Sequence, residues 1–205
     1  MKKINFRSCL RVGVVCLAFG LSGCVSIPNS PTPRFYALSA ISGTQVSKTI
    51  NIPAGVIISI GPVKIPEYQD RPQIVTKDKE GMLKFDEFNR WGESLDHGVT
   101  RLIREDLSVL LPKAKLIVYP SNPLVAVKYQ VALEVIDLDS ELDGDMSFVV
   151  QWTVIDVQNS KVVMMKRSEF RTAISPQNYF GLANTLSKAC ASLSSQIAEA
   201  LANNV

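Results

Sequence analysis

The sequence predicts an α+β domain: a largely antiparallel sheet with two amphipathic helices packed on one face, preceded by a lipoprotein signal peptide and a flexible spacer. Three observations carry the prediction. Apolar residues alternate at period two in several short runs. They recur three and four apart in two longer stretches, Leu95–Leu111 and Tyr179–Leu201. Turn-forming pairs, Asp143-Gly144 and Asn159-Ser160, separate the last three strand-like runs.

The first element is a leader. Lys2, Lys3, Arg7 and Arg11 precede an uncharged apolar run, Val12–Phe19, which is the layout of a secretory signal. At about 15 Å as a helix the run is too short for a hydrocarbon core of about 30 Å. It ends in Leu21-Ser22-Gly23-Cys24, which resembles the bacterial lipobox: an aliphatic residue, two small residues, then the cysteine whose thiol accepts diacylglycerol. Residues 1–23 are therefore read as a signal peptide and Cys24 as the lipid attachment site. Further acylation of its new amino group makes the tether stable, because two or more chains hold where one holds only marginally.

Removing the leader changes the charge argument. Taking its four basic residues from 22 Lys and Arg leaves 18 against 19 Asp and Glu, so the remaining chain is near −1 and offers nucleic acid no basic surface. Its 182 residues suit one domain that buries its own core without disulfides. Cys9 and Cys16 leave with the leader and Cys24 carries lipid, so Cys190 is unpaired.

Residues 24–33, rich in Ser, Pro and Asn, read as the lipidated N-terminus and an extended spacer, and 34–205 as a single periplasmic domain. Arg34–Leu38 is a short strand, Ser39–Pro53 a polar connection, and Gly55–Val63 a β-branched strand whose pairing Pro62 and Pro66 restrict. Ile74–Lys77 and Met82–Phe88 form a hairpin around Glu80-Gly81. From Ser94, placed to cap the first amides, a helix carries Leu95, Val99, Leu102, Ile103, Leu107, Leu110 and Leu111 on one face until Pro112. Asp96 favours its positive end. Lys115–Tyr119 is a strand, and Val127–Leu138, Met146–Val157 and Val162–Thr172 form an antiparallel meander. After Pro176, a last helix places Tyr179, Leu182, Ala183, Leu186, Cys190, Leu193, Ile197 and Leu201 on one stripe.

One strand carries an internal conflict. Val127, Tyr129, Val131, Leu133 and Val135 share a face that continues as Asp137, Asp139, Glu141 and Asp143. A strand of constant register cannot bury that face throughout, so a bulge or departure is expected near Ile136, with the remainder projecting into water. The acidic spacing invites a calcium reading, but Gly144 comes at the eighth loop position where an EF-hand needs glycine at the sixth, and a solvated edge is the better reading.

Catalytic equipment is not visible. The one histidine, His97, sits beside Asp96 in a helical first turn, where adjacent side chains do not face each other. There is no Gly-x-Ser-x-Gly elbow, and His97 and Cys190 are too few for zinc. Cys190 lies in an apolar stripe and reads as a small core hydrophobe. No catalytic, cofactor or metal residue is assigned.

Phe35-Tyr36-Ala37-Leu38, Ile65-Pro66-Glu67-Tyr68, Arg71-Pro72-Gln73-Ile74-Val75 and Arg90-Trp91-Gly92-Glu93-Ser94-Leu95, in this order behind a lipobox, resemble the PqiC family of ABC-type transport auxiliary lipoproteins. The resemblance covers most of the chain after the leader, with Gly92-Glu93-Ser94 departing from the alanine and proline the family often has there, and the C-terminal half matching mainly in pattern. It implies a non-enzymatic subunit of an intermembrane lipid transport system that docks the far end of a periplasm-spanning MCE-domain protein. Lipoprotein sorting generally retains an Asp after the cysteine in the inner membrane, and Val25 stands there, so the tether is placed in the outer membrane, facing the periplasm. By analogy a tube-like partner favours a ring of copies of matching symmetry.

Arg71, Gln73, Arg90 and Trp91 are the candidate partner-binding residues, since Arg and Trp dominate binding hot spots. The alternative is that Arg71 and Arg90 pair with Glu67, Asp70 or Asp86, and that Trp91 staples the start of the helix onto the sheet. Two further functions stay open: a lipoprotein carrying phospholipid in its own pocket, and an envelope enzyme.

Overall fold

The computed structural model describes residues 30–41 and 49–204, so the leader, Cys24, Val25 and the first part of the spacer lie outside the described residues. The strands are β1 (Arg34–Tyr36), β2 (Ile57–Lys64), β3 (Gln73–Lys77), β4 (Leu83–Trp91), β5 (Lys115–Val118), β6 (Tyr129–Ser140), β7 (Asp145–Asp156) and β8 (Lys161–Ala173). The helices are α1 (Leu95–Leu110) and α2 (Tyr179–Asn204). The fold is α+β as expected, but the strands divide into two sheets, β5-β2-β6-β7-β8 and β1-β4-β3.

Occupancy of the β6 edge explains the division. β2 pairs with β6 from Ile58 opposite Tyr129 to Lys64 opposite Glu134, skipping the stretch between Ile60 and Val63 where Gly61 takes φ +111° ahead of Pro62. Pro62 thus interrupts this ladder without ending it. Beyond Glu134 the same edge is met by side chains: Gln69 donates to the Leu138 carbonyl at 2.7 Å, and the Ser140 hydroxyl donates to that of Val75. The β3–β4 hairpin packs against β6 without joining its ladder. Three pairings, β1–β4, β2–β5 and β2–β6, are parallel, and the longest, β6–β7 and β7–β8, are antiparallel. The β3–β4 hairpin and the β6–β7–β8 meander are antiparallel as the turns predict, whereas the parallel pairings of β1, β2 and β5 have no such local signal.

Both helical stripes are buried as their spacing requires. Leu102, Ile103 and Leu107 of α1 and Leu186, Leu193 and Ile197 of α2 pack with Ile58, Ile60, Phe148 and Trp152 of the large sheet. Each such side chain contributes about 1.5–3 kcal/mol by leaving water. Ser94 occupies the N-cap of α1 in extended conformation, yet its side chain makes no capping bond. Glu93 instead accepts from Arg101 at 2.6 Å, and Arg101 also donates to the Leu38 carbonyl at 3.0 Å.

The expected bulge is present: the β6–β7 register shifts between Val135 and Asp137. The strand does not project into water beyond it. One extra residue exchanges the faces, so Leu138 and Ser140 return to the interior opposite Phe148 and Met146, and Asp137 and Asp139 turn to the other face.

A candidate docking surface on the small sheet

β3 and β4 bring most of the candidate residues together. Gln73 and Arg90 are register partners. Glu87 joins them: its carboxylate accepts from Gln73 Nε2 at 3.3 Å and from Arg90 Nη2 at 3.0 Å, and its carbonyl accepts from Arg90 Nε at 3.0 Å. Arg71, exposed in the loop before β3, holds its guanidinium 4.3 Å from the centroid of the Phe85 ring. Phe35, two-thirds exposed, is the β1 partner of Arg90. The result is a partly exposed face of two arginines, two phenylalanines, a glutamine and a glutamate whose polar groups hold one another in place. Preorganised arginine and aromatic side chains of this kind lose little entropy on meeting a partner.

Trp91 does not belong to that face. Neighbouring strand residues point to opposite sides, so with Arg90 at the surface Trp91 turns inward, where it is 6% exposed and packs in the core. Among the described residues its Nε1 has no hydrogen-bond partner. The expectation that Arg90 and Trp91 act as a surface pair is corrected accordingly. Nor do the arginines take the acids the sequence offered: Arg90 pairs with Glu87, and Arg71 stacks on Phe85. Sequence gives no sign of Phe85 and Glu87, which stand an odd number of residues from Arg90 and so on the opposite face of a regular strand; the register shift between Gln73 and Val75, a step of two residues in β3 against five in β4, breaks that alternation.

The reverse side of the small sheet is fastened to the start of α2. Tyr36 donates to Asn89 Oδ1 at 2.8 Å, and its ring lies 6.3 Å from that of Tyr179. Tyr179 donates to Asp86 Oδ2 at 3.0 Å, and burial together with the Asp86 charge pushes its phenol up to about 12. Burial works against ionisation of Asp86, but the amides of Phe88 and Asn89 bond its carboxylate and hold it below the usual carboxylate range.

A cleft of about 510 Å³ lies where the hairpin meets the β6–β7 turn, lined by Lys77, Asp137, Asp139, Glu141, Ser147 and Arg171 among others. Lys77 bonds Asp139, and the Tyr68 hydroxyl donates to the same carboxylate at 3.3 Å. Burial, then the charge of Asp139, raises the pKa of Asp137. Two acids of the calcium-like run pair with lysines, Asp139 with Lys77 and Asp143 with Lys79 at 3.3 Å, and Arg171 lies 3.2 Å from the neighbouring Asp145. Among the described residues no group of three or more His, Cys, Asp or Glu side chains is arranged to hold a metal ion. His97 is exposed and its ring lies 3.8 Å from Asp96. Cys190 is fully buried, and that burial, with the charge of Asp106, pushes its thiol far up. Among the described residues no helix is long and apolar enough to cross a membrane.

The family described as ABC-type transport auxiliary lipoprotein component matches residues 36–198. No curated protein matches the sequence. Among solved structures, the chain is similar to a crystal structure of an uncharacterized protein at TM-score 0.68 and 16% identity, covering 83% of this chain and 99% of that one. It is also similar to protein XCC0632 from Xanthomonas campestris at TM-score 0.63 and 11% identity, covering 83% and 96%. At such identities the likeness is one of fold.

Proposed function

Starting from the finding that the chain belongs to the family of ABC-type transport auxiliary lipoprotein components, we propose that it is the outer-membrane-anchored subunit of an intermembrane lipid transporter, docking a periplasm-spanning MCE-domain partner. The observation that carries this reading is the preorganised face built from Arg71 stacked on Phe85 and from Gln73 and Arg90 bridged by Glu87. The lipobox at Cys24 supplies the anchor, and Val25, where an inner-membrane lipoprotein generally carries Asp, supports the outer membrane. The cleft at the β6–β7 turn is walled by Lys77, Asp137, Asp139, Glu141 and Arg171, a poor environment for an acyl chain. Copies of the subunit would follow any rotational symmetry of a tubular partner.

The test is affinity purification of the full-length protein from its own membranes in mild detergent, with mass spectrometry of proteins and lipids. Recovery of an MCE-domain protein, reduced about tenfold or more by Arg71→Ala with Arg90→Ala, is the expected result. Stoichiometric phospholipid without a protein partner would make the chain a carrier. A Cys24→Ala control separates anchoring from docking.

A further inference from the structure

The direction in which the chain enters the fold identifies a second surface. β1 runs parallel to β4, with Arg34 opposite Asn89, Phe35 opposite Arg90 and Tyr36 opposite Trp91. A backward continuation of β1 therefore heads toward the N-terminal end of β4, which is the β3–β4 hairpin turn. That turn displays apolar side chains: Met82 is 64% exposed and Leu83 38% exposed. It does so by construction. Asp78 accepts from the amides of Met82 at 2.8 Å and Glu80 at 3.2 Å, the Gly81 amide donates to the Asp78 carbonyl, and Gly81 sits at φ +88°, which favours glycine. A turn with its own backbone satisfied holds Met82 outward.

We propose that this hairpin tip, Lys79–Leu83, inserts into the phospholipid surface that carries the chain's own lipid anchor. The inference rests on the reading of Cys24 as the acylated residue. Cys24 lies ten residues before Arg34, a reach of at most about 36 Å. Met82 lies seven residues before Asn89, so at about 3.3 Å per residue the tip extends at most about 23 Å beyond the point where β1 begins. The tether is long enough for the tip to meet the bilayer. Tethering also raises the effective concentration of the tip at the surface, so two apolar side chains suffice where a free domain would not bind.

Charge does not drive this contact. Lys84 lies 3.5 Å from Asp78 and Lys79 3.3 Å from Asp143, and Glu80 adds a further acid, so the tip is near neutral. The apolar stems of the lysines are free to lie along the interface with their ammonium groups at phosphate level. The orientation also serves docking: Gln73 and Arg90, at the opposite end of β3 and β4, are carried away from the membrane.

The experiment uses the full-length acylated chain in vesicles of phosphatidylethanolamine and phosphatidylglycerol. An environment-sensitive fluorophore is placed at Met82→Cys, at Lys79→Cys on the same turn, and at Leu124→Cys as reference; buried Cys190 stays unlabelled in the native fold. Leu124, 91% exposed, precedes β6, whose far end turns beside Lys79 about 35 Å away along the strand. Brominated acyl chains should quench the probes at 79 and 82 several-fold more than the one at 124, with little change between 50 and 500 mM salt. Equal quenching at all three sites on a chain whose acylation is verified by mass overturns the hairpin contact alone. A chain from native membranes without lipid on Cys24 overturns both this proposal and the anchoring it rests on.

Discussion

Replacing Asp106 by alanine should cost about 2–4 kcal/mol of folding stability at neutral pH, and replacing it by asparagine less than about 1 kcal/mol. Asp106 is fully buried on α1, and among the described residues no lysine, arginine or histidine forms an ion pair with it. One carboxylate oxygen accepts the Ile41 amide at 2.8 Å and the other the Ser194 hydroxyl at 3.1 Å. It thus joins α1, α2 and the segment that follows β1, a junction completed by the Ser39 amide donating to Ser187 Oγ at 3.1 Å. Hydrogen bonds to a charged group contribute about 1.5–3 kcal/mol each, and part of that sum is offset because alanine no longer buries a carboxylate. Asparagine keeps an acceptor for Ile41 and a group of the same shape toward Ser194.

The pH dependence gives an internal check. Burial raises the Asp106 pKa, against the lowering effect of its bonds to Ile41 and Ser194, so the folded state takes up this proton at a higher pH than the unfolded chain. Acidification from neutrality toward pH 4 therefore stabilises the wild type relative to Asp106→Asn, which has no proton to gain. Urea unfolding followed by far-ultraviolet circular dichroism at pH 7 and pH 5 measures both effects. A cost for Asp106→Ala below about 0.5 kcal/mol, or a wild-type advantage over asparagine that shrinks on acidification, would refute the reasoning.

Asp156 behaves in the opposite sense. Lys128 Nζ at 2.7 Å, with the Asn159 amide and side chain, lowers its carboxyl from 3.8 to about 2, so its stabilising contribution is complete above about pH 4 and disappears between pH 4 and 2. Acid unfolding of Lys128→Met should lose much of that component, the Asn159 bonds keeping the rest, and identical acid transitions for the two proteins would argue against it. Trp91→Ala should lower stability by about 3–5 kcal/mol, whereas Arg71→Ala, which removes an exposed contact with Phe85, should cost no more than about 1 kcal/mol. Urea midpoints separate the two, and an Arg71→Ala midpoint as low as that of Trp91→Ala would make Arg71 a structural residue.

Local pattern made several parts of the molecule legible in advance. The stripes Leu95–Leu111 and Tyr179–Leu201 became α1 and α2 with those faces buried, because a period of 3.6 puts residues three and four apart on one side whatever they pack against. Turns at Glu80-Gly81, Asp143-Gly144 and Asn159-Ser160 opened the expected hairpins, since backbone geometry there is set by the turn residues themselves. The bulge near Ile136 is one of the two outcomes that an apolar face turning acidic allows, and the extra residue keeps the strand in the sheet where the other outcome would take it into water.

Pairing partners and burial of individual polar groups depended on distant residues. The period of β2 is the same whether it pairs parallel or antiparallel, and only its position between β5 and β6 decided the matter and left the hairpin to form a second sheet. Asp106 follows Arg104 and Glu105 in a run that reads as solvated, and Ser194 looks equally surface-like; their meeting in the core required α1 and α2 to cross there. Arg90 and Trp91 look alike as candidates for binding until the pleat of β4 sends one outward and the other inward. The sequence by itself determined the helices, the hairpins, the place of the bulge and the family motifs, all of them properties of neighbours along the chain. The tertiary structure decided the division into two sheets, the partners of each charge, and the assembly of Arg71, Phe85, Gln73, Glu87 and Arg90 into one face, because these depend on contacts whose closure the chain makes across long separations.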